Sequence, residues 1–173
     1  MKHLLTAAAM LVAALAVAGV ASASGGTSRV VVESFSESYA FSVDCAEVGE
    51  FDFSVGVEGE QKVRVTDVVA ADGELLQTVL HIVIRETDTN SVSGKSLRLH
   101  GAVHEVWDYA SNTRTLTGAV YVGNSPGGQW VQDTGRITMT LDTRIASFVA
   151  GPHEAFFTDG GLDLLACAAL AEA

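Results

Sequence analysis

The sequence predicts an all-β fold: an antiparallel up-and-down β-barrel of about eight strands with a short C-terminal helix. Apolar and polar residues alternate with a period of two through most of the chain. The segments between these alternating runs are short and polar, which leaves no room for the crossovers that parallel strands need. A barrel-like sandwich would satisfy the same pattern. Closure into a barrel is favoured because it removes exposed strand edges.

The N-terminus has the pattern of a secretory signal peptide, predicted over residues 1–23. Lys2 and His3 precede an apolar run, and Ala21-Ser22-Ala23 offers a small-residue cleavage site. An uncleaved membrane anchor is the alternative interpretation. We therefore expect a secreted, extracellular protein, with a flexible linker at 24–28 and a single β-barrel domain over 29–173.

The first strands are identified by alternation. Phe35, Tyr39, Phe41 and Val43 share one face of the first strand. The alternating segments at 51–58 and 63–69 follow as two further strands, with Gly56 and Gly59 as bends within or between them. The later predicted strands cover residues 75–86, 96–108, 113–122, 129–142 and 145–150.

Turns and one helix complete the prediction. Asp72-Gly73 is typical of a hairpin turn because glycine readily takes positive φ values. The polar stretch 87–93 ends one strand, and Ala110-Ser111-Asn112 turns the chain after another. Residues 162–170 carry apolar side chains at helical spacing and predict a short helix containing Cys167.

The chain has two cysteines, Cys45 and Cys167, and in an exported protein we expect them to form a disulfide. Two free buried thiols are the alternative. Closing a loop of on the order of 100 residues stabilises a fold by about 4–5 kcal/mol in the chain-entropy model.

The net charge of -11 bears on the choice of partners. An acidic surface repels phosphate backbones and anionic lipid head groups, and no run of Lys or Arg is present to override it. Nucleic acid and, after signal cleavage, membranes are therefore not expected as partners. We expect a monomer.

One sequence resembles a catalytic motif. Residues 123–127 match G-x-S-x-G around Ser125, and Asp133 or Asp142 and then His153 follow in the order of an α/β-hydrolase triad. A nucleophile elbow requires a strand, the serine and then a helix, whereas here another strand follows. The segment is predicted to be a turn, and no catalytic residue is assigned.

Histidines provide a second candidate. His100 and His104 share a strand face but lie roughly 13 Å apart along it, so one ion would need His81 from a neighbouring strand, with Glu86 or Asp108 nearby. Polar positions on the wet face of a strand are the simpler interpretation. Neither a metal nor a cofactor is predicted.

The remaining candidates are carboxylates and aromatic residues. Glu33 and Glu37 share a strand face and offer an acid–base pair or a solvated rim. Aromatic side chains on strands fill cores or line cavities. The candidate ligand-binding residues are Trp107, Trp130, Tyr39, His81 and His104.

Two short motifs, Gly151-Pro152-His153-Glu154 and Cys167-Ala168-Ala169-Leu170, resemble those of a known group of proteins. With the signal peptide and the Glu33-Ser34-Phe35-Ser36-Glu37 strand, the chain resembles a group of uncharacterised small secreted actinobacterial proteins. This resemblance implies export and origin and transfers no active-site residue. By strand count alone the predicted fold is similar to calycin-like and allene-oxide-cyclase-like barrels, and fold does not fix function.

Three functions follow as hypotheses. The first is a barrel that binds a small, mostly apolar ligand. The second is an extracellular interaction or structural protein. The third is a barrel-type isomerase or cyclase that uses His81, His104 or Glu37 inside the barrel.

Overall fold

The computed structural model describes residues 28–125, 127–128, 130–153 and 161–171. The predicted signal peptide lies outside the described residues. Within these ranges the regular structure consists of one antiparallel sheet, one α-helix and one 3-10 turn at Cys45–Glu47. The strands are β1 Ser28–Asp44, β2 Ser54–Val69, β3 Leu75–Asn90, β4 Ser96–Asp108, β5 Thr113–Asn124, β6 Trp130–Thr140 and β7 Ala146–Ala150, and the helix is α1 Gly161–Ala171.

The sheet is a meander in which each strand pairs with its neighbour in sequence, in the order β1 to β7. All six pairings are antiparallel, as predicted. Over the described residues β1 and β7 do not pair, so the sheet is open and has two edges. The predicted closed barrel is not confirmed.

The described strands number seven rather than eight because β2 is continuous. The predicted second and third strands are its two halves, and neither Gly56 nor Gly59 interrupts its pairing with β3. Gly59 serves a different purpose: a Cβ atom there would overlap the ring of Tyr39. This glycine makes room for an aromatic side chain instead of bending the strand.

β3 is longer than predicted. The polar residues Thr87, Asp88 and Thr89 were expected to end it, yet they stay paired with both β2 and β4. Flanking strands on both sides satisfy their backbone groups, so the polar side chains do not break the strand.

Three other predicted turns are confirmed. Gly73 has a φ of 90° and donates its N–H to the carbonyl of Ala70, forming the hairpin turn between β2 and β3. Asn112 has a φ of 53° between β4 and β5. Gly128 donates to the carbonyl of Ser125, so the G-x-S-x-G segment belongs to the hairpin between β5 and β6.

One face of the sheet, called the inner face here, carries the core. The alternation in β4 places Leu97, Leu99 and Val103 on the inner face and leaves His100 and His104 exposed on the opposite, outer face. Helix α1 packs against one end of the inner face, where β1 residues such as Val43 and β6 residues such as Val131 join one core cluster with it.

The disulfide between Cys45 and Cys167 is confirmed and fixes α1 on that end of the sheet. Both cysteines are fully buried, and their Cα atoms lie 5.8 Å apart. The cross-link joins residues separated by 122 positions in sequence. None of the helices in the described ranges is long and apolar enough to span a membrane.

Candidate functional site

The most unusual chemistry lies between α1 and the sheet. Two carboxylates of β3, Glu86 and Asp88, are 7% and 2% exposed on the inner face. They share a chamber with Tyr39 of β1, Tyr121 of β5 and Asp163 of α1. These five residues are called the acid chamber below.

Strand geometry explains how the carboxylates enter the core. Every second residue of a strand points to the same face of the sheet. In β3 this series includes Ile82, Ile84, Glu86 and Asp88. The first two positions are apolar and the next two acidic, so the strand changes character where it passes beneath α1.

Tyr39 reaches Glu86 across an intervening strand. In the sheet register Tyr39 opposes Gly59, and Gly59 opposes Glu86. The absence of a side chain at Gly59 lets the phenol extend over β2 and donate its hydroxyl proton to Glu86 Oε2 at 2.7 Å. The glycine and the tyrosine therefore act together to position the carboxylate.

Burial dominates the ionisation of the two carboxylates. Loss of solvent raises the pKa of Asp88 to about 8, and the adjacent charge of Glu86 acts in the same direction. Burial also raises the pKa of Glu86, although hydrogen bonds from Tyr39, Asp88 and Tyr121 oppose that rise. The hydrogen bond between the two groups lowers the pKa of Glu86 and raises that of Asp88, so the proton of the pair is favoured on Asp88.

Burial also shifts the pKa values of the three other residues of the acid chamber. Burial and the charge of Glu86 raise the pKa of both Tyr39 and Tyr121, so both phenols stay neutral donors. Burial raises the pKa of Asp163 on α1. Among the described residues that line the chamber, none is Lys, Arg or His.

The cavity within the chamber is small, with a volume of about 20 Å³. A volume of this size admits one water-sized group. Its wall is mostly apolar and includes Phe41, Val55, Leu99 and, from α1, Leu162 and Leu165. The inner face beneath α1 is therefore filled by side chains apart from this space.

One oxygen in the chamber needs a donor. Within the described part of the chain, no protein group hydrogen-bonds to Asp88 Oδ1, which is completely buried. Buried polar atoms are nearly always satisfied because leaving one unpaired costs about 1–3 kcal/mol. Asp88 lines the cavity together with other acids, so a donor from outside the chain, above all a cationic one, fits this site.

A second buried carboxylate occupies the other end of the inner face. Glu105 of β4 is 3% exposed and accepts hydrogen bonds from the indole N–H of Trp107 and the Nε–H of Arg114. The guanidinium of Arg114 lies 5.9 Å from the centre of the Trp107 ring. Trp107, a predicted ligand-binding residue, therefore supports an internal ion pair.

The other predicted site residues are divided between the two faces. Tyr39 belongs to the acid chamber, whereas His81 and His104 lie side by side on the outer face with ring centres 4.6 Å apart. Trp130 is 58% exposed, also on the outer face. The structure thus does not bring the five predicted ligand-binding residues into one site.

The carboxylates and histidines predicted to act together are also separated. Glu37 lies half-buried on the inner side of β1, so it does not converge with His81 and His104. Glu86 points away from His81 because the two residues have opposite parity on β3. Within the described ranges no group of three or more His, Cys, Asp or Glu residues is arranged to hold a metal ion.

The hydrolase-like order of Ser125, Asp133 and His153 has a partial counterpart in space. His153 Nδ1 lies 2.6 Å from Asp133 Oδ1, and both side chains are buried. His153 Nε2 lies over Gly135, where a Cβ atom would come within 2.8 Å of it. The pair fastens the segment after β7 to β6, and Ser125 belongs to a hairpin turn.

Sequence reasoning missed Asp88, Tyr121 and Asp163. The sequence did contain a signal for Asp88. Glu86 and Asp88 continue the two-residue spacing of Ile82 and Ile84, which places two acids on the apolar face. Comparison with protein-family models, curated proteins and solved structures finds no match for the chain.

Proposed function

We propose that this protein is a secreted binding protein whose acid chamber takes the ammonium group of a small, otherwise apolar amine. The observation that carries the proposal is the pairing of Glu86 and Asp88, which have no cationic partner and no donor to Asp88 Oδ1 among the described residues. The disulfide supports an oxidising compartment, as secretion requires.

The chemistry of an ammonium group matches the chamber. It supplies up to three N–H donors and one positive charge, and both carboxylates and both phenol oxygens accept hydrogen bonds. Hydrogen bonds between charged partners are stronger than neutral ones. An ammonium group would take the place of the proton on the carboxylate pair, so one positive charge replaces another and the net charge of the site does not change.

The size of the cavity limits how the rest of the ligand is placed. About 20 Å³ accommodates the head group alone. The apolar part must replace the contacts that Leu162 and Leu165 make in the first turns of α1. Cys167 anchors the later turns through the disulfide, so a small movement of the N-terminal end of α1 opens the chamber.

A chain-length-matched ligand series tests the proposal by calorimetry and thermal shift at pH 7. Hexylamine is compared with hexanol and hexanoate, which carry the same apolar chain with a neutral or negative head. A charge-assisted hydrogen bond is worth about 1.5–3 kcal/mol, so hexylamine should bind roughly tenfold or more tightly than hexanol. Hexanoate should not bind.

Proton release gives a second readout. At pH 7 hexylamine should release a proton from the carboxylate pair, which calorimetry detects as a dependence of the binding enthalpy on the buffer. The double variant Glu86→Gln/Asp88→Asn should lose amine binding and proton release. The control Glu58→Gln/Asp52→Asn removes two exposed acids and should retain both.

Two results would contradict the proposal. Equal binding of hexanol and hexylamine would show that the chamber selects only apolar chains. Absence of amine binding in the folded wild-type protein would show that the acid chamber is not a ligand site.

A further inference from the structure

The outer face of the sheet collects positive charge in an acidic protein. Half of the chain's 10 Lys and Arg residues lie there, although the net charge is -11. Three histidines share the face. These eight residues, called the basic face below, are all exposed: Lys62, Arg64, Arg85, Arg98, Arg136, His81, His100 and His104.

Strand register, not sequence proximity, brings the basic face together. Arg64 of β2 opposes His81 of β3, which opposes His104 of β4. His104 opposes Thr117 of β5, and Thr117 opposes Arg136 of β6. Residues directly opposite in paired strands point to the same side of the sheet. One row therefore crosses five strands.

A parallel row lies towards the end of the sheet that carries α1 on its inner side. Arg85 opposes His100 on one side and Glu60 on the other, and its guanidinium lies 3.7 Å from that carboxylate. Lys62 lies between this row and the first, on β2.

The last row ends in an aromatic side chain. Arg98 opposes Asn124 of β5, which opposes Trp130 of β6. The indole N–H of Trp130 donates to Gln132 Oε1 at 2.9 Å, which fixes the orientation of a ring that is 58% exposed. An exposed, oriented indole beside the amides of Asn124 and Gln132, with Arg98 two strands away in the same row, offers a stacking platform.

The basic face is large enough for an extended partner. With strands about 4.8 Å apart and alternate residues about 6.8 Å apart, five strands and four rows cover roughly 20 Å by 20 Å. Glu58 and Glu60 are the acidic residues in these rows among the described strands. Local cations thus outnumber local anions on a protein that is acidic overall.

We propose that the basic face binds an acidic polysaccharide, with arginines pairing its anionic groups and Trp130 stacking on a sugar ring. Arginine presents planar, paired donors to carboxylate and sulfate groups. The amides of Asn124 and Gln132, together with Glu58 and Glu60, offer hydrogen-bonding groups to sugar hydroxyls.

The mixture of groups favours a polysaccharide over other polyanions. Carboxylates between the cations oppose the continuous charge of a nucleic-acid backbone, whereas an acidic polysaccharide alternates anions with hydroxyls. Single-stranded nucleic acid is held by several stacked aromatics, and Trp130 is the single aromatic residue in the four described rows. The large apolar side chains exposed in the described part of these rows are Val83 and Trp130, and they lie among charged and polar residues, whereas insertion into a bilayer needs a broad apolar face.

The acidic net charge of the chain does not exclude an anionic partner on the basic face. The value of -11 sums residues on both faces and in the turns, but a partner responds to the local potential within about 8–10 Å. Anionic partners are therefore compatible with this face, and the proposal does not depend on the acid chamber.

Alginate, a carboxylated polysaccharide, tests the proposal, with neutral dextran as the uncharged control. Binding is measured by calorimetry on the full chain at about 20 mM and about 300 mM NaCl, because salt screens exposed charges. Alginate should bind at low salt and weaken at least about tenfold at high salt. Dextran should not bind.

Charge-matched variants localise the interaction. Arg85→Gln/Arg98→Gln removes two cations from the basic face and should lower alginate affinity about tenfold. Lys95→Gln/Arg144→Asn removes two exposed cations from turns outside it and should change affinity less than about twofold. Trp130→Ala should weaken alginate binding roughly fivefold through lost stacking. Circular dichroism confirms that each variant is folded.

Other partners are outcomes of the same experiment. If a DNA duplex or vesicles of anionic phospholipid bind at least as tightly as alginate, with Trp130→Ala without effect, the polysaccharide assignment is wrong. If alginate does not bind the folded wild-type protein, or both double variants weaken it equally, the basic face is not a binding surface for it.

Discussion

The two ends of the inner face bury carboxylates in opposite ways. At the end away from α1, Glu105 receives hydrogen bonds from Arg114 and Trp107, so a cation of the same protein neutralises its charge. At the end under α1, Glu86 and Asp88 have neutral phenols and each other as partners. Both sites hold buried acids on neighbouring strands, β3 and β4.

The difference separates a structural role from a binding role. A buried ion pair that is complete within the chain has no capacity for another cation. A carboxylate pair that retains a proton exchanges it for a positively charged group when one arrives. We therefore propose that Glu105 stabilises the fold and that the acid chamber is the place where a ligand binds.

The largest effect should come from the disulfide, which fastens α1 to one end of the sheet only. The variant Cys45→Ser/Cys167→Ser should lose about 4–5 kcal/mol of unfolding free energy, because the unfolded chain is no longer cross-linked. Urea denaturation measures the loss. Amide hydrogen exchange should accelerate more in α1 than in β4, because the cross-link holds the helix on the sheet. Equal acceleration in both elements would contradict this role of the disulfide.

Arg114→Met should be the next most damaging change. It leaves Glu105 buried without its cation, and breaking such a pair costs about 3–5 kcal/mol. The double variant Glu105→Gln/Arg114→Met should recover most of this loss in urea denaturation. If the single variant were as stable as the wild type, Glu105 would not depend on its internal partner.

Gly59→Ala tests the positioning of Glu86 by Tyr39. The added methyl group overlaps the Tyr39 ring, so the phenol must move and overpacking should cost about 1–3 kcal/mol. Gly56→Ala on the same strand is the control, because its Cβ atom meets no heavy atom closer than 3.9 Å. Equal losses of stability would show that close packing under Tyr39 is not the cause.

The smallest effect concerns pH. Asp88 has a pKa of about 8 in the folded chain and an ordinary value of 3.8. Between these values the folded state binds more protons than the unfolded state, so the free energy of unfolding falls as pH rises and levels off above pH 8.

Asp88→Asn removes this contribution. The difference in unfolding free energy between pH 5 and pH 8.5 should shrink by about 1 kcal/mol or more relative to the wild type. Asp52→Asn, at an exposed position, is the control and should keep the wild-type slope. An unchanged slope in Asp88→Asn would indicate that Asp88 is ionised throughout.

Local patterns in the sequence predicted much of the fold. Alternation identified β4 over the residues observed, and the spacing of apolar residues after Gly161 identified α1. The disulfide was predicted from the presence of two cysteines in a chain expected to be exported. Gly59 was misinterpreted as a bend because its role depends on Tyr39, a residue of another strand.

The acid chamber could not be predicted in the same way. Strand register and the position of α1 bring together Tyr39, Glu86 and Tyr121. A local pattern in the sequence encodes neither the register nor the position of the helix. Polar character at Thr87 and Asp88 suggested a turn, whereas pairing with two neighbouring strands extends β3. The basic face was missed for the same reason, since its arginines are scattered along the sequence.

The meander has a consequence for the order of assembly. Each strand meets the strand before it, so hairpins can form one after another at short sequence separation, and such local closures are fast. Helix α1 is the exception: it returns to the first turn of the chain across 122 positions. Pairing of the two thiols therefore closes a much longer loop than any hairpin of the sheet does, and it carries the larger cost in chain entropy.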